Sequence, residues 1–209
     1  MKRFLVTLIL TSFLSPVFGA DEGTQIAGIK VVSTSAKAGA GNVVHMGGRP
    51  ITLSGNAVVE GQQLPEMTLV GLDGEEVSLG KKDGKVKLIS IVPNLMTKVC
   101  EAQTHNLSEE SQAIEGKVDM ITVSMDTTDV QNKFSSEAKI DNVQFLSDKS
   151  KGEFGQNTGL LLSTDRFQLL ARAIIVVDTD NTVRYVQVMD EITTMPDMEK
   201  ARMMAASLL

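Results

Sequence analysis

The sequence contains a single cysteine, Cys100, at the junction between an apolar stretch and a predicted helix. In cysteine chemistry the nucleophile is the thiolate and not the thiol. The first turn of a helix has unpaired N–H groups and a partial positive charge, so this position favours the ionised form of a thiol. A lone cysteine is more often a buried structural residue, however, and a chemical role for Cys100 requires further support from its neighbours.

A thiolate at this position needs a second positive charge. An ordinary cysteine thiol has a pKa near 8.5 and is only about 3% ionised at pH 7. Making the thiolate dominant takes about 2.7 kcal/mol, whereas a helix terminus supplies about 1–2 kcal/mol at most. Arg172 is the best candidate, because it precedes the apolar stretch 173–177 and should lie at the start of a buried strand. The alternative interpretation of Arg172 is a surface ion pair.

The two histidines do not favour another kind of cysteine chemistry. His105 follows Cys100 by five residues, about 140° around a helix, and His45 falls in the first predicted hairpin; both are interpreted as surface residues. A cysteine-protease dyad is therefore disfavoured, and these residues lack the spacing of zinc ligands. A disulfide oxidoreductase would need a Cys-x-x-Cys pair, which is missing. The sequence predicts no metal and no cofactor.

The elements that must position these residues follow from hydrophobic periodicity and turn residues. The predicted segments are hairpins at 43–53 and 67–79, a strand at 86–93, a helix at 97–115, a strand at 118–125, a helix through 138, a strand at 143–146, an irregular or weakly helical stretch at 148–162, a hairpin at 173–188 and a helix from 196 or 197 to 208. This order predicts an α/β, thioredoxin-like fold: a central mixed sheet flanked by helices, with an N-terminal β-hairpin.

The first 19 residues are predicted to be a secretory signal peptide. They combine the basic tip Lys2-Arg3, an apolar stretch at 4–14 and small residues before Ala20. An uncleaved anchor is the alternative, but the stretch is shorter than the roughly 20 residues that span a bilayer. We expect cleavage, a periplasmic or equivalent exported location and no membrane contact afterwards. Residues 20–42, rich in Gly, Ala, Ser and Thr, are predicted to be a flexible linker before a folded domain at 43–209.

Composition argues against nucleic acid as a partner. The chain carries a net charge of −6, has no tryptophan and is only 4% aromatic. No cluster of basic residues follows the predicted signal peptide. An acidic surface repels phosphate backbones, and few aromatic side chains are available to stack on bases.

The segment Pro93-x3-Thr97-x2-Cys100 resembles the active-site motif of the peroxiredoxins, with Arg172 where that family has its catalytic arginine. The resemblance is closer to one subgroup, the bacterial thiol peroxidases of the atypical two-cysteine type. It also covers the hairpin at 44–53, the arginine segment at 170–173 and the late segment at 188–197, which reads VMDEITTMPD.

This resemblance implies a thiol-dependent peroxidase that acts on hydrogen peroxide and organic hydroperoxides. Cys100 would be the peroxidatic thiolate, which attacks the terminal peroxide oxygen and becomes a sulfenic acid. Thr97 would hydrogen-bond both sulfur and peroxide, and Arg172 would stabilise the thiolate and the charge on the leaving oxygen. Pro93 would shield the sulfur from water. A homodimer is usual in the family and is expected here on that ground alone.

Two positions depart from the subgroup's pattern. Ser135 stands where the resolving cysteine is expected, so the chain lacks the partner for an internal disulfide. Met96 stands where aspartate usually precedes the threonine. The oxidised enzyme would then need an external reductant: a small thiol, a periplasmic thioredoxin-like protein, or Cys100 of a second subunit. The alternative is a non-enzymatic redox-sensing or binding protein that retains the scaffold without turnover.

Overall fold

The computed structural model describes residues 24–112, 114, 116–163 and 167–209. The predicted signal peptide lies outside the described residues. Within the described ranges, no helix is long and apolar enough to cross a membrane.

Thirteen strands and four helices occur in the described parts of the chain. The strands are β1 (Gln25–Ile26), β2 (Ile29–Lys30), β3 (Val43–Met46), β4 (Arg49–Ser54), β5 (Met67–Gly71), β6 (Glu76–Leu79), β7 (Val86–Ile91), β8 (Val118–Ser124), β9 (Gln144–Ser147), β10 (Leu161–Ser163), β11 (Gln168–Leu170), β12 (Ala173–Val177) and β13 (Val183–Val188). The helices are α1 (Lys98–Ser111), α2 (Thr128–Ala138), α3 (Glu153–Thr158) and α4 (Met198–Ala206).

A mixed sheet of seven strands forms the centre of the fold, in the order β13-β12-β7-β8-β9-β5-β6. Strands β7, β8 and β9 run parallel, and the remaining pairs are antiparallel. Every residue of β7 and of β12 is buried, which explains why β12 is wholly apolar and why β7 is mostly apolar, with Lys87 and Ser90 as its polar residues. The predicted fold class, a mixed sheet flanked by helices with an N-terminal hairpin, is confirmed.

The two faces of this sheet are covered differently. Alternate side chains of β12 enter two separate cores: Ile175 contributes to the first and Ile174 to the second. The first core also contains residues of a four-stranded sheet, β11-β10-β4-β3, and of α3. The second contains residues of α1, α2 and α4, including Cys100. The candidate nucleophile therefore lies on the face of the sheet that carries the three longer helices.

The strand register brings the two ends of the candidate site together. Helix α1 follows the carboxyl end of β7, which is also where ligands gather in parallel sheets. Strand β12 runs antiparallel to β7, and its first residue, Ala173, pairs with Ile91, the last residue of β7. Arg172 therefore enters the sheet at the same edge from which α1 starts, although 72 residues separate it from Cys100.

The expectation of a flexible linker is wrong for residues 24–42. This segment runs along the folded domain: the Val32 N–H donates to the Met195 carbonyl, and the Ala36 N–H donates to the Val188 carbonyl. Its side chains Ile29 and Val31 are buried in the helical core. The small residues that suggested flexibility instead permit close packing. A packed segment and a flexible linker can share this composition, so the sequence pattern alone does not distinguish them.

The irregular stretch predicted at 148–162 is more ordered than expected. It contains α3, whose first-turn N–H groups at Phe154 and Gly155 donate to the buried carboxylate of Asp148. Strand β10 follows and pairs with β4, and β11 extends that sheet. Both strands have only three residues, too few for periodicity to reveal. The predicted helix at 97–115 is shorter than expected and ends at Ser111.

We predict that Gly159→Ala destabilises the protein more than Gly84→Ala does. Both glycines have positive φ, 68° and 78°, which costs an L-residue about 1–2 kcal/mol. A methyl group at Gly159 would also lie 2.5 Å from the Gly39 Cα, whereas one at Gly84 would have nothing within 4 Å. We expect an additional loss of about 1–3 kcal/mol at Gly159, measured by urea unfolding. Equal losses would contradict the packing of the 24–42 segment against the end of α3.

Candidate active site

The loop between β7 and α1 is fixed at its centre by a carboxylate. The Leu95 N–H donates to Asp126 Oδ2 at 2.9 Å, and Asp126 follows the end of the neighbouring strand β8. Thr97 is the N-cap residue of α1, with an extended backbone at φ −107° and ψ 145°. Cys100 is thus the third residue of the helix, where backbone N–H groups lack partners within the helix. The helix terminus is the first source of positive potential at the sulfur.

The second source is the side chain of Arg172. Its Nη2 lies 3.2 Å from Cys100 Sγ and donates a hydrogen bond to it. Cys100 is 0% exposed and Arg172 is 2% exposed, which makes this contact a fully buried one. The structure therefore brings together the two residues that the charge argument singled out.

Two further acceptors hold the guanidinium in place. Arg172 Nε donates to the Ile192 carbonyl at 2.6 Å, and Nη1 donates to Gln103 Oε1 at 2.6 Å. Gln103 is itself buried and donates from Nε2 to Ser90 Oγ at 2.8 Å. The three nitrogens of the guanidinium thus face two elements: Nη1 and Nη2 face helix α1 through Gln103 and Cys100, and Nε faces the segment after β13 through Ile192. Its orientation is set by the surrounding structure and not by the sulfur alone.

Neither Ile192 nor Gln103 supplies a negative charge to this buried cation. Burial lowers the pKa of Arg172, and the charge and hydrogen bond of Cys100 act in the opposite direction. A buried charge costs several kcal/mol unless it is paired and hydrogen-bonded. Because arginine does not deprotonate in proteins, the arrangement favours a negatively charged sulfur. The site thus places a buried cation beside the one sulfur that could act as a nucleophile.

The other two predicted site residues lie at the same end of the sheet. Pro93 is buried in the loop after β7. Thr97 is exposed, and its hydroxyl donates to the Asn94 carbonyl at 3.0 Å. Thr97 has the extended backbone of the N-cap residue, so its side chain does not follow the helical spacing of α1. The role of Thr97 toward sulfur and peroxide therefore stays a prediction, and it requires the hydroxyl to turn.

The side chains of the two histidines lie outside the hydrogen bonds described for Arg172 and Cys100. His105 is half-buried and meets the ring of Phe134 edge-on at 6.4 Å between centroids. His45 lies on β3 and not in the turn, and its Nδ1 is 3.4 Å from Asp190. Across the described ranges, no group of three or more His, Cys, Asp or Glu residues could hold a metal ion.

Sequence reasoning missed Gln103 and the Ile192 carbonyl. Gln103 did leave a signal, because residues three apart in a helix share one face, and Gln103 follows Cys100 by three. A glutamine on the buried face of a helix needs a polar partner. The Ile192 carbonyl leaves no signal in the sequence, since any residue type supplies a backbone oxygen.

The two departures from the subgroup's pattern are also placed. Ser135, on α2, donates its hydroxyl to the Ile140 carbonyl at 2.8 Å, so it serves the end of that helix. Met96 is 56% exposed in the loop before α1. Met96 thus lies at the surface just before the start of α1, where an oxidant can reach its thioether.

Comparison with known proteins gives consistent matches. The Redoxin family model matches residues 59–202. A thiol peroxidase of Staphylococcus saprophyticus is 41% identical over 152 residues, which cover 73% of this chain and 90% of that relative. A thiol peroxidase of Streptococcus pneumoniae is 36% identical over 161 residues, covering 77% and 97%. The crystal structure of a peroxiredoxin-like protein from Aquifex aeolicus has a TM-score of 0.75 at 32% identity, covering 80% of this chain and 97% of that one.

A thiol peroxidase from Chromobacterium violaceum matches with a TM-score of 0.71 at 17% identity, which supports the fold alone. The family match spans both halves of the site, from Pro93 through Cys100 to Arg172. The resemblance noted in the sequence is thereby confirmed. This chain belongs to the Redoxin family and, within it, to the thiol peroxidases of the peroxiredoxin type, without their resolving cysteine.

Proposed function

We propose that this protein is a thiol-dependent peroxidase that reduces hydrogen peroxide and organic hydroperoxides at Cys100 with an external thiol as reductant. The observation that carries the proposal is the buried 3.2 Å contact between Arg172 Nη2 and Cys100 Sγ at the start of α1. A guanidinium in that position stabilises a thiolate and also the negative charge that develops on a departing oxygen.

The oxidative step needs no cofactor. The thiolate of Cys100 attacks the terminal oxygen of the peroxide, a sulfur–oxygen bond forms, and the oxygen–oxygen bond breaks. The other oxygen departs with the electron pair, takes a proton from solvent and leaves as water or an alcohol. Sulfur is oxidised to the sulfenic acid as the peroxide is reduced. Arg172 donates to the sulfur before the reaction and to the departing oxygen during it.

The reductive step must use a thiol from outside the chain, because the sequence holds one cysteine. An external thiolate attacks the sulfenic sulfur and forms a mixed disulfide with Cys100, while the departing hydroxide takes a proton from solvent and leaves as water. A second thiol then releases Cys100 and carries away the other sulfur as a disulfide. The thiol can be a small molecule or a thioredoxin-like protein; Cys100 of a second subunit in a homodimer would replace the first of these attacks.

Reaction at a fully buried sulfur requires the site to open. The segment most able to do so is the loop before α1, where Met96 and Thr97 are exposed. Thr97 makes no side-chain cap to the helix, so the first turn lacks one of the bonds that usually hold it. Local opening there would admit peroxide to Cys100 and bring the Thr97 hydroxyl toward the sulfur.

The location of the enzyme is part of the same proposal. The composition of residues 1–19 supports export through a cleaved signal peptide, and export would place the peroxidase in the periplasm or an equivalent space. A reductant there would have to come from the pool of exported or periplasmic thiols.

We predict that peroxide converts Cys100 to its sulfenic acid far faster than it oxidises free cysteine. Stopped-flow measurement with one equivalent of peroxide should show this loss of free thiol, and mass spectrometry should show the original mass restored by added thiol. Excess peroxide without thiol should drive the residue to sulfinic acid, since no internal disulfide protects it. Cys100→Ser should consume no peroxide. A wild-type rate equal to that of free cysteine would instead support the redox-sensing or binding alternative.

We predict that Arg172→Met slows the peroxide reaction about 100-fold, the usual cost of removing a donor from a developing oxyanion. The same change should move the alkylation of Cys100 by iodoacetamide to higher pH, because the thiolate loses its cation. Arg184→Met is the matched control, since that guanidinium binds Asp178 and not the sulfur. Similar rates and pH profiles for both variants would rule out the electrostatic role of Arg172.

We predict that the exported protein begins at Ala20. Expression of the full chain in a bacterium with a periplasm, followed by fractionation and N-terminal sequencing, measures both the location and the cleavage site. An intact N-terminus in the membrane fraction would show instead that the leader remains as an anchor.

A further inference from the structure

We propose that Glu191 is a positioning residue for this reaction: by holding the segment after β13 against the β3–β4 turn, it fixes the Ile192 carbonyl that orients Arg172 toward Cys100. The inference rests on the proposed function and extends it to a residue that touches neither sulfur nor substrate. It assigns a role to a hairpin that lies on the opposite face of the sheet from α1.

The turn that Glu191 binds is built to present two N–H groups. Gly47 and Gly48 connect β3 to β4 and have φ values of 59° and 76°, as the type I′ hairpin turn requires. The Gly47 N–H donates to Glu191 Oε1 at 3.1 Å, and the Gly48 N–H donates to Oε2 at 2.8 Å. Both oxygens of one carboxylate are therefore engaged by successive backbone groups, an arrangement specific for an anion.

The carboxylate also folds its own segment. Glu191 Oε1 accepts bonds from the N–H of Thr193 at 3.0 Å and from its hydroxyl at 2.8 Å. Burial alone would raise the pKa of Glu191, but the bonds from Gly48, Thr193 and Gly47 outweigh it and keep this pKa below its ordinary value. The group is ionised at neutral pH and binds the turn and the segment simultaneously.

Two backbone hydrogen bonds connect the hairpin directly to the segment that contains Ile192. The His45 N–H, on β3, donates to the Asp190 carbonyl at 2.5 Å, and the Ile192 N–H donates to the His45 carbonyl at 2.9 Å. The carbonyl of Ile192 accepts from Arg172 Nε at 2.6 Å. The N–H of Ile192 thus binds the hairpin, and its carbonyl binds the guanidinium.

Because a guanidinium is planar, its three nitrogens move as one body. A shift of the Ile192 carbonyl would turn the plane of Arg172 and change the distance from Nη2 to the sulfur. Gln103 constrains a second nitrogen but leaves rotation about that contact possible. The Ile192 carbonyl is therefore the contact that selects one orientation, and the hairpin sets where that carbonyl lies.

The test compares Glu191→Ala with Glu191→Gln and Glu153→Ala. Glu153 is the matched control, since its carboxylate also accepts a backbone N–H, from Thr68 at 2.8 Å, but lies outside this chain of contacts. We expect Glu191→Ala to slow the reaction of Cys100 with hydrogen peroxide about 3- to 30-fold and to move its iodoacetamide alkylation profile toward higher pH. Glu191→Gln keeps one acceptor oxygen, so it should recover part of the lost rate and part of the shift in the alkylation profile. Glu153→Ala should change neither the rate nor the profile.

The decisive comparison is made in an Arg172→Met background. If Glu191 acts through the guanidinium, Glu191→Ala should have no further effect on rate or profile there. An equal slowing in both backgrounds, or a wild-type profile in Glu191→Ala, would overturn the inference. If Glu191→Ala does not fold, a wild-type rate in the folded Glu191→Gln variant would overturn it as well. Slow oxidation of the wild type itself would be a failure of the proposed function, which this series distinguishes.

Discussion

The active site depends on one buried contact, between the guanidinium of Arg172 and the sulfur of Cys100. Arg172 is 2% exposed, and among the described residues its side chain donates to the Ile192 carbonyl, Gln103 and Cys100, of which the sulfur can carry a negative charge. An isolated buried guanidinium would cost several kcal/mol, and an isolated thiolate in the same core would cost a similar amount. A guanidinium and a thiolate at this contact would therefore stabilise each other in a core that excludes solvent.

Topology makes this pair possible for residues so far apart in sequence. The antiparallel register of β7 and β12 sets where Arg172 enters the sheet, and the end of β7 sets where α1 begins. Side-chain and backbone acceptors from α1 and from the segment after β13 then restrict the guanidinium. The β3–β4 hairpin contacts that segment from the other face of the sheet, so elements on both faces of the sheet are connected to the guanidinium of Arg172.

The sequence predicts the elements and the charged pair better than it predicts their connections. Apolar stretches identify β7 and β12, and the energetic shortfall of a helix terminus identifies the need for Arg172. The Ile192 carbonyl cannot be foreseen, because a backbone oxygen has no residue signature and its place depends on tertiary packing. The same limit explains why the linker prediction for residues 24–42 was wrong: their composition fits a flexible linker, although their backbone donates hydrogen bonds to the Met195 and Val188 carbonyls.

The most direct test of the charge pair is a spectroscopic titration of the sulfur itself. The ultraviolet absorbance of a thiolate, followed against pH with the serine variant of residue 100 as the blank, reports ionisation without peroxide, reductant or turnover. We expect this absorbance to be present already at neutral pH in the folded enzyme and to disappear on unfolding. Absorbance that rises only in the pH range where free cysteine ionises would contradict it.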